Sequence, residues 1–324
     1  MSYKNILLMG KSGSGKSSMR NMIFSNYSAI DTRRLGATID VERTQIRLLN
    51  NLNLSLMDCG GQDSYMLNYI KAGSTKLNNA ELLIYVFDIE GTQPKDFEIF
   101  NLILNTLKNL SPRCKIFLLV HKMDLVNEEE REKVFLDFYV GVKSSSNLKF
   151  FLDQNNVQCA QTSIWDESLY KAWSQIVGSL IPETQALQKH LKNLGNIVSA
   201  EFIMIFETST FLKIATHPNS LPKDEQADLD SITQRVSGII KNYKKSVEKI
   251  SARFRSLTLY ANSKSIYLDN LTDNMVIMIV IPDSKIEKDI NKSTTVKISE
   301  EKYVQDVIKR ARKTFEKLDF SGKK

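Results

Sequence analysis

Residues Gly10 to Ser17 read GKSGSGKS, an instance of the phosphate-binding pattern G-x-x-x-x-G-K-[ST]. The apolar run Asn5-Ile6-Leu7-Leu8-Met9 precedes it. Ser18 to Phe24 follow with apolar residues at helical spacing, so the strand–loop–helix context that gives the pattern its meaning is present. In such a loop, glycines let the chain wrap with its N–H groups pointing inward, and the following helix N-terminus adds partial positive charge. Ser12, Gly13, Gly15 and Ser18 are the loop positions that would surround a phosphate chain. Lys16 can reach the β- and γ-phosphates, and the Ser17 hydroxyl can ligate Mg²⁺. The loop points to a nucleoside triphosphate without choosing the base.

Further segments, in chain order, narrow the choice. Asp58-Cys59-Gly60-Gly61-Gln62 follows the strand-like Leu52–Met57. An aspartate at that strand end can hold Mg²⁺ through a water, and the Gly61 N–H can bond a γ-phosphate. Gln62 is placed to orient an attacking water, as the corresponding glutamine does in Ras and Gα. His121-Lys122-Met123-Asp124 follows the apolar run Cys114–Val120, which has the character of a buried parallel strand. It resembles the [NT]-K-x-D base-recognition motif, with His121 in place of Asn or Thr. A carboxylate at Asp124 would accept from N1–H and N2–H₂ of guanine, a donor pair adenine lacks. Thr162-Ser163-Ile164 resembles the element whose backbone N–H supports the guanine O6, which makes Ser163 and Ile164 candidates for base contacts. Between the first two motifs, Asp31 to Val41 holds Thr38, the candidate threonine that closes over Mg²⁺ and γ-phosphate, and Thr32, a candidate ribose or phosphate contact. For Arg34 an internal arginine finger and a surface arginine both stay open, with the second favoured.

The blocks LLMGKSGSGKSSMR, DTRRLGATIDVE, DCGGQD, HKMDLV and TSIWDESLYKAWSQI resemble the Rag/Gtr small GTPases, specifically the RagA/RagB class. The H-K-x-D form of the base motif matches that family, and the T-I-D-V and D-C-G-G-Q forms separate it from RagC/RagD. The resemblance implies a GTP/GDP switch with Mg²⁺ that acts as a heterodimer with a RagC/RagD-type GTPase. It implies signalling of amino-acid sufficiency to the first TOR kinase complex at the vacuole or lysosome membrane. A lipidated scaffold complex would supply the anchor, and a GTPase-activating complex would speed hydrolysis. A nucleotide-dependent scaffold without turnover, an Arf-like traffic GTPase and a P-loop ATPase are the rival readings. The HKMD motif opposes the last, and Ser2 in place of an acceptor glycine opposes the Arf-like one.

Composition sets the bounds. The 324 residues are 42% hydrophobic and 25% charged, as in an ordinary globular protein of about two domains. No run of 18 apolar residues occurs. Neither an N-terminal glycine nor a C-terminal prenylation cysteine is present, so no direct lipid anchor is expected. The three cysteines, Cys59, Cys114 and Cys159, are scattered without metal spacing and read as structural thiols of a reducing cytosol. Of the net charge of +7, residues 1–181 carry 20 basic and 19 acidic side chains (+1) and the remainder 24 and 18 (+6). That bias suits acidic partners or an anionic membrane. With no aromatic-interleaved basic motif, no nucleic-acid partner is expected.

The elements that must position these residues follow from hydrophobic period. Residues 1–182 form the expected G domain, a Ras-like doubly wound α/β P-loop fold. Strands are expected near 4–9, 41–48, 52–58, 82–88, 114–120 and 156–161. A closing helix near 167–181 carries Leu169, Trp173, Ile176, Val177 and Leu180 on one face. Residues 183–324 read α-β-β-α-β-β-β-α and resemble the α+β roadblock/longin-like dimerisation module of the family. Its helices are expected near 184–197, from Leu229 to Val247, and after a polar stretch reaching about Ser299. Their apolar faces are expected chiefly to cover their own sheet.

Overall fold

A computed structural model describes residues 3–25, 27–36, 38, 41–49, 52–62, 66–67, 70, 77–144, 146–181, 184–218, 229, 231–233, 235–236, 238–239, 255–260, 264–282 and 290–320. The chain divides into two compact units, Met1–Arg47 with Leu52–Ile176, and Leu48–Asn51 with Val177–Lys324.

The first unit is built on a six-stranded sheet of β1 (Lys4–Gly10), β2 (Val41–Leu49), β3 (Leu52–Cys59), β4 (Ala80–Asp88), β5 (Lys115–His121) and β6 (Val157–Thr162). Its spatial order is β2-β3-β1-β4-β5-β6. The pairs β1–β3, β1–β4, β4–β5 and β5–β6 are all parallel. Central strands therefore read as continuous apolar runs, because both faces are covered: Leu82 to Phe87 are all buried. Helix α1 (Lys16–Phe24) starts directly after the phosphate loop and buries Met19, Met22 and Ile23, one helical stripe. Helix α2 (Pro94–Leu110) opens with Pro at its start and a capping box between Gln93 and Asp96. It buries Ile99, Phe100, Ile103, Leu104 and Leu107 against Tyr85 and Phe87. Full burial of side chains of this size stabilises by about 1.5–3 kcal/mol each. Helices α3 (Arg131–Lys143), α4 (Ser146–Leu152) and α5 (Ser168–Gly178) complete the unit. The five residues expected on the inner face of the closing helix, Leu169 to Leu180, are all buried, and Trp173 meets Phe24 edge-on at 5.2 Å.

In the second unit, α6 (Thr184–Ile197) precedes a five-stranded antiparallel sheet of β7 (Phe202–Glu207), β8 (Lys213–His217), β9 (Ser256–Tyr260), β10 (Lys264–Asn270) and β11 (Met275–Pro282). The order is β8-β7-β11-β10-β9. One face, with Phe202, Met204, Phe206, Leu268 and Met278, packs on Leu229, Ile232 and Val236 of a helical segment. Ile239, expected on the same inner face, is 44% exposed, and the expected Ile240, Tyr243 and Val247 lie outside the described residues. The other face meets α7 (Ile290–Phe320), whose Glu300 and Glu301 accept from Tyr267 and from Thr258 and Tyr260. Helix α7 begins at Ile290, not after Ser299. Once a helix is nucleated by its packed turns, adding polar residues at its start costs little, so polarity alone does not delay it.

Candidate functional site

The phosphate loop is shaped by backbone that only glycine accepts readily. Gly13 and Gly15 sit at φ +80° and +93°. A Cβ on Gly15 would lie 2.7 Å from the His121 ring, and one on Gly61 would lie 2.4 Å from the Gly10 carbonyl oxygen. The loops after β1, β3 and β5 are thus in direct contact. The Ser12 N–H donates to the Gly61 oxygen at 2.8 Å, which fixes the Asp58–Gln62 segment against the phosphate loop. Strand register places these loops level, since Leu8 pairs with Asp58, Asp88 with His121, and His121 with Thr162.

Lys16 is buried and donates to the Gly10 and Lys11 carbonyls at 2.7 and 2.8 Å, which points its ammonium along the inside of the loop. Burial draws its pKa down to about 8 against the pull of Asp58. Ser12 and Gly13 are exposed on the loop, and Ser18 is half-buried at the start of α1.

Three oxygen-bearing side chains meet at the start of α1. Ser17 Oγ donates to Asp58 Oδ2 at 2.7 Å and lies 2.8 Å from Thr38 Oγ1. Asp58 is fully buried, and burial pushes its carboxyl above the ordinary range, opposed by the Ser17 hydroxyl, Arg20 and Lys16. Its Oδ1 has no hydrogen-bond partner among the described residues. A buried carboxylate oxygen without a partner beside two hydroxyls is the hard-oxygen set that Mg²⁺ prefers, and the residues fit that ion. Arg20, which the sequence motifs did not single out, lies 3.5 Å from Asp58 Oδ2 and 2.6 Å from Glu42 at the start of β2. Its only advance signal was its place one helical turn after Lys16.

At the other end of the sheet edge, Asp124 accepts from the Ser163 hydroxyl at 2.6 Å. The same Ser163 oxygen accepts the Trp165 N–H, while the Ser163 N–H is taken by Ser168 Oγ. His121 is buried, its Nδ1 lies 3.0 Å from Thr162 Oγ1, and burial lowers its pKa to about 4, so its ring is neutral. Lys122, at φ +64°, donates to Asp88 at 2.6 Å. Two expected residues are placed differently from the rest. Thr32 is buried with its hydroxyl donating to the Ala29 carbonyl, and Gln62 is exposed. Arg34 is exposed, and its neighbour Arg33 lies over the Trp165 ring at 5.6 Å. Cys59 and Cys114 are buried thiols outside any disulfide, with Cys114 pushed up to about 12 by burial.

A parallel sheet with a glycine phosphate loop after its first strand and a held carboxylate after β5 defines a P-loop nucleotide-binding domain. The family model described as the Gtr1/RagA G protein conserved region matches residues 5–252. GTP-binding protein GTR1 of Saccharomyces cerevisiae is 46% identical over 297 residues, covering 89% of this chain and 94% of that protein. Ras-related GTP-binding protein B of Rattus norvegicus is 39% identical over 346 residues, covering 98% and 86%. GTP-binding protein GTR2 of S. cerevisiae is more distant, 27% identical over 294 residues, covering 85% and 84%. The chain therefore belongs to the Rag/Gtr family of G proteins, in its RagA/RagB class, and is a guanine-nucleotide-binding GTPase.

Proposed function

We propose that this chain is a slow GTPase switch whose nucleotide lies between Lys16 and Asp124, and that it works as one half of an unlike pair. The observation that carries the reading is the convergence of Ser17, Thr38 and Asp58 at one end of the sheet edge, with Asp124 held by Ser163 at the other. Lys16 and the N–H groups of Gly13, Gly15, Lys16, Ser17 and Ser18 hold the phosphates, while Ser12, its N–H engaged by the Gly61 oxygen, shapes the loop around them. Asp124 accepts from the guanine N1–H and N2–H₂, with His121 and Lys122 shaping its loop. Ser163 orients Asp124. With the Ser163 N–H already engaged, the Ile164 N–H is the donor for O6. Ser17 and Thr38 hold Mg²⁺, with Asp58 behind a water, and that ion neutralises phosphate charge when bound. Gln62, exposed beside Gly61, orients the attacking water, and the Gly61 N–H faces the γ-phosphate. Thr32 contributes from the segment that borders the ribose. Among the described residues, Arg20 of this site is engaged by Glu42 and Asp58, so an activating complex supplying an arginine in trans would raise the rate by ~10³–10⁵-fold.

The second unit is read as a roadblock/longin-like module spanning residues 183–324, with the G domain at 1–182. Its element order and the strand order β8-β7-β11-β10-β9 support that reading. The partner is a RagC/RagD-type GTPase, a reading supported by the similarity to GTP-binding protein GTR2 along most of that protein's length. In this reading the pair reports amino-acid sufficiency to a subunit of the first TOR complex, held on the vacuole or lysosome by a lipidated scaffold. Among the described residues no helix is long and apolar enough to cross a membrane, which suits a borrowed anchor.

The test is a tagged full chain purified from its native cells. Denaturation should release guanine nucleotide near one per chain, and a GTR2-type GTPase should co-elute. Adenine nucleotide would overturn the base assignment, and elution as a lone monomer would overturn the pairing.

A further inference from the structure

Arg33 and Trp165 come from segments more than a hundred residues apart, yet the guanidinium carbon lies 5.6 Å from the indole centroid. Arg33 belongs to the short turn Asp31–Arg34, and Trp165 follows the loop that holds Asp124. Neither residue is core. Trp165 is 51% exposed, whereas the chain's other tryptophan, Trp173, is fully buried. We propose that this pair is a clamp across the nucleoside end of the site that slows nucleotide release, a proposal that rests on the guanine-nucleotide reading above.

Position supports the assignment. Asp124 and Ser163 mark the base end of the site, while Lys16 and Ser17 mark the phosphate end. The segment from Arg33 to Thr38 touches Trp165 at its first residue and Ser17 at its last. Five residues of extended chain span at most about 17 Å. Arg33 and Thr38 therefore stand at the base and phosphate ends of the site, each held by a contact of its own. At the phosphate end the pin is a hydroxyl contact to a proposed metal ligand. At the base end it is the Arg33–Trp165 contact.

Trp165 is also tied to the base-reading carboxylate. Its backbone N–H donates to Ser163 Oγ at 3.0 Å, and that hydroxyl donates to Asp124 at 2.6 Å. A cation over the face of an indole is the strongest of the cation–aromatic pairs and tolerates water on its outer side. A nucleoside that leaves between these segments must part them. The clamp is accordingly a positioning device for nucleotide retention, with Arg33 and Trp165 acting on the release step.

The experiment is stopped-flow dissociation of N-methylanthraniloyl-GDP from the full chain, chased with excess GDP in Mg²⁺. Arg33→Gln and Trp165→Ala should each speed release by about two- to fivefold, the worth of one exposed cation–aromatic contact. The double variant should be no faster than the faster single variant, because each removes the same contact. Trp165→Phe keeps an aromatic face and should stay within about twofold of the parent. Release rates unchanged in both single variants, or a double variant equal to the product of the two, would overturn the clamp while leaving guanine binding intact. A parent chain that holds no labelled GDP would overturn the base reading and this proposal with it.

Discussion

In the parallel sheet, the strand ends carrying Gly10, Asp58, His121 and Thr162 lie along one edge, and the polar side chains buried there bond between loops far apart in sequence. Ser17 reaches Asp58, His121 meets both Gly15 and Thr162, and Ser163 reaches Asp124. In the antiparallel sheet the buried carboxylate Glu207 is closed by its own neighbours. The N–H groups and hydroxyls of Ser209 and Thr210 all donate to it, within three residues of chain. Asp269, also buried there, is met by Arg312 at 3.1 Å. The first arrangement leaves Asp58 Oδ1 and Ser14 Oγ without partners among the described residues. A carboxylate closed by the donors of its own turn, as Glu207 is, is structural. A fully buried carboxylate with one oxygen unmet where distant loops converge, as Asp58 is, marks a place for a ligand.

The comparison can be broken at its strongest point first. Asp124→Asn should weaken GDP binding by about 10²–10⁴-fold, since two hydrogen bonds to a charged acceptor are lost. It should shift preference toward xanthine nucleotides, whose O2 accepts from the new amide. Competition between GDP and XDP checks both, and an unchanged preference would remove Asp124 from base reading. Next in size, Gln62→Leu should keep GTP binding and lower activator-stimulated single-turnover hydrolysis by about 10²-fold or more. An unchanged stimulated rate would remove Gln62 from the mechanism.

His121 sharpens the contrast through pH. Its folded pKa, about 4, lies below the ordinary histidine value of 6.5 because burial disfavours the imidazolium. Between those two values the unfolded chain binds more protons than the folded one. Stability of the first unit should therefore be complete above pH 6.5 and fall as pH drops toward 4, by at most about 3 kcal/mol. His121→Asn should flatten that part of the curve, measured as the unfolding midpoint of the first unit between pH 4 and 7. The smallest effect belongs to the second unit. Glu207→Ala should cost about 1–3 kcal/mol there, because the donors of Ser209 and Thr210 lose their acceptor. Labelled-GDP affinity should not change, and a loss of affinity would contradict the separation of roles.

Periodicity and motif spacing in the chain determine much of this protein. The apolar runs at 4–9, 82–88 and 114–120 are strands at close to the expected bounds, and the closing helix buries Leu169, Trp173, Ile176 and Val177 as its 3.6-residue spacing marks, although it ends at Gly178 and leaves the buried Leu180 in the turn beyond. Local signals suffice there, because strand and helix faces are set by side-chain direction along one element. The same holds for the phosphate loop, whose glycines are required by local backbone geometry. The family was also legible, since long blocks of particular residues carry it.

Tertiary structure alone decided which residues stand beside these. Arg20 next to Asp58, His121 against Gly15, Ser163 under Asp124 and Arg33 over Trp165 each join loops that only the sheet order brings together. The start of α7 at Ile290 and the exposure of Ile239 were likewise set by what the helices pack on rather than by composition. Patterns within a segment are written in its side chains. Contacts between segments depend on the parallel register, which sums weak preferences over the whole sheet and is printed in no single stretch of sequence.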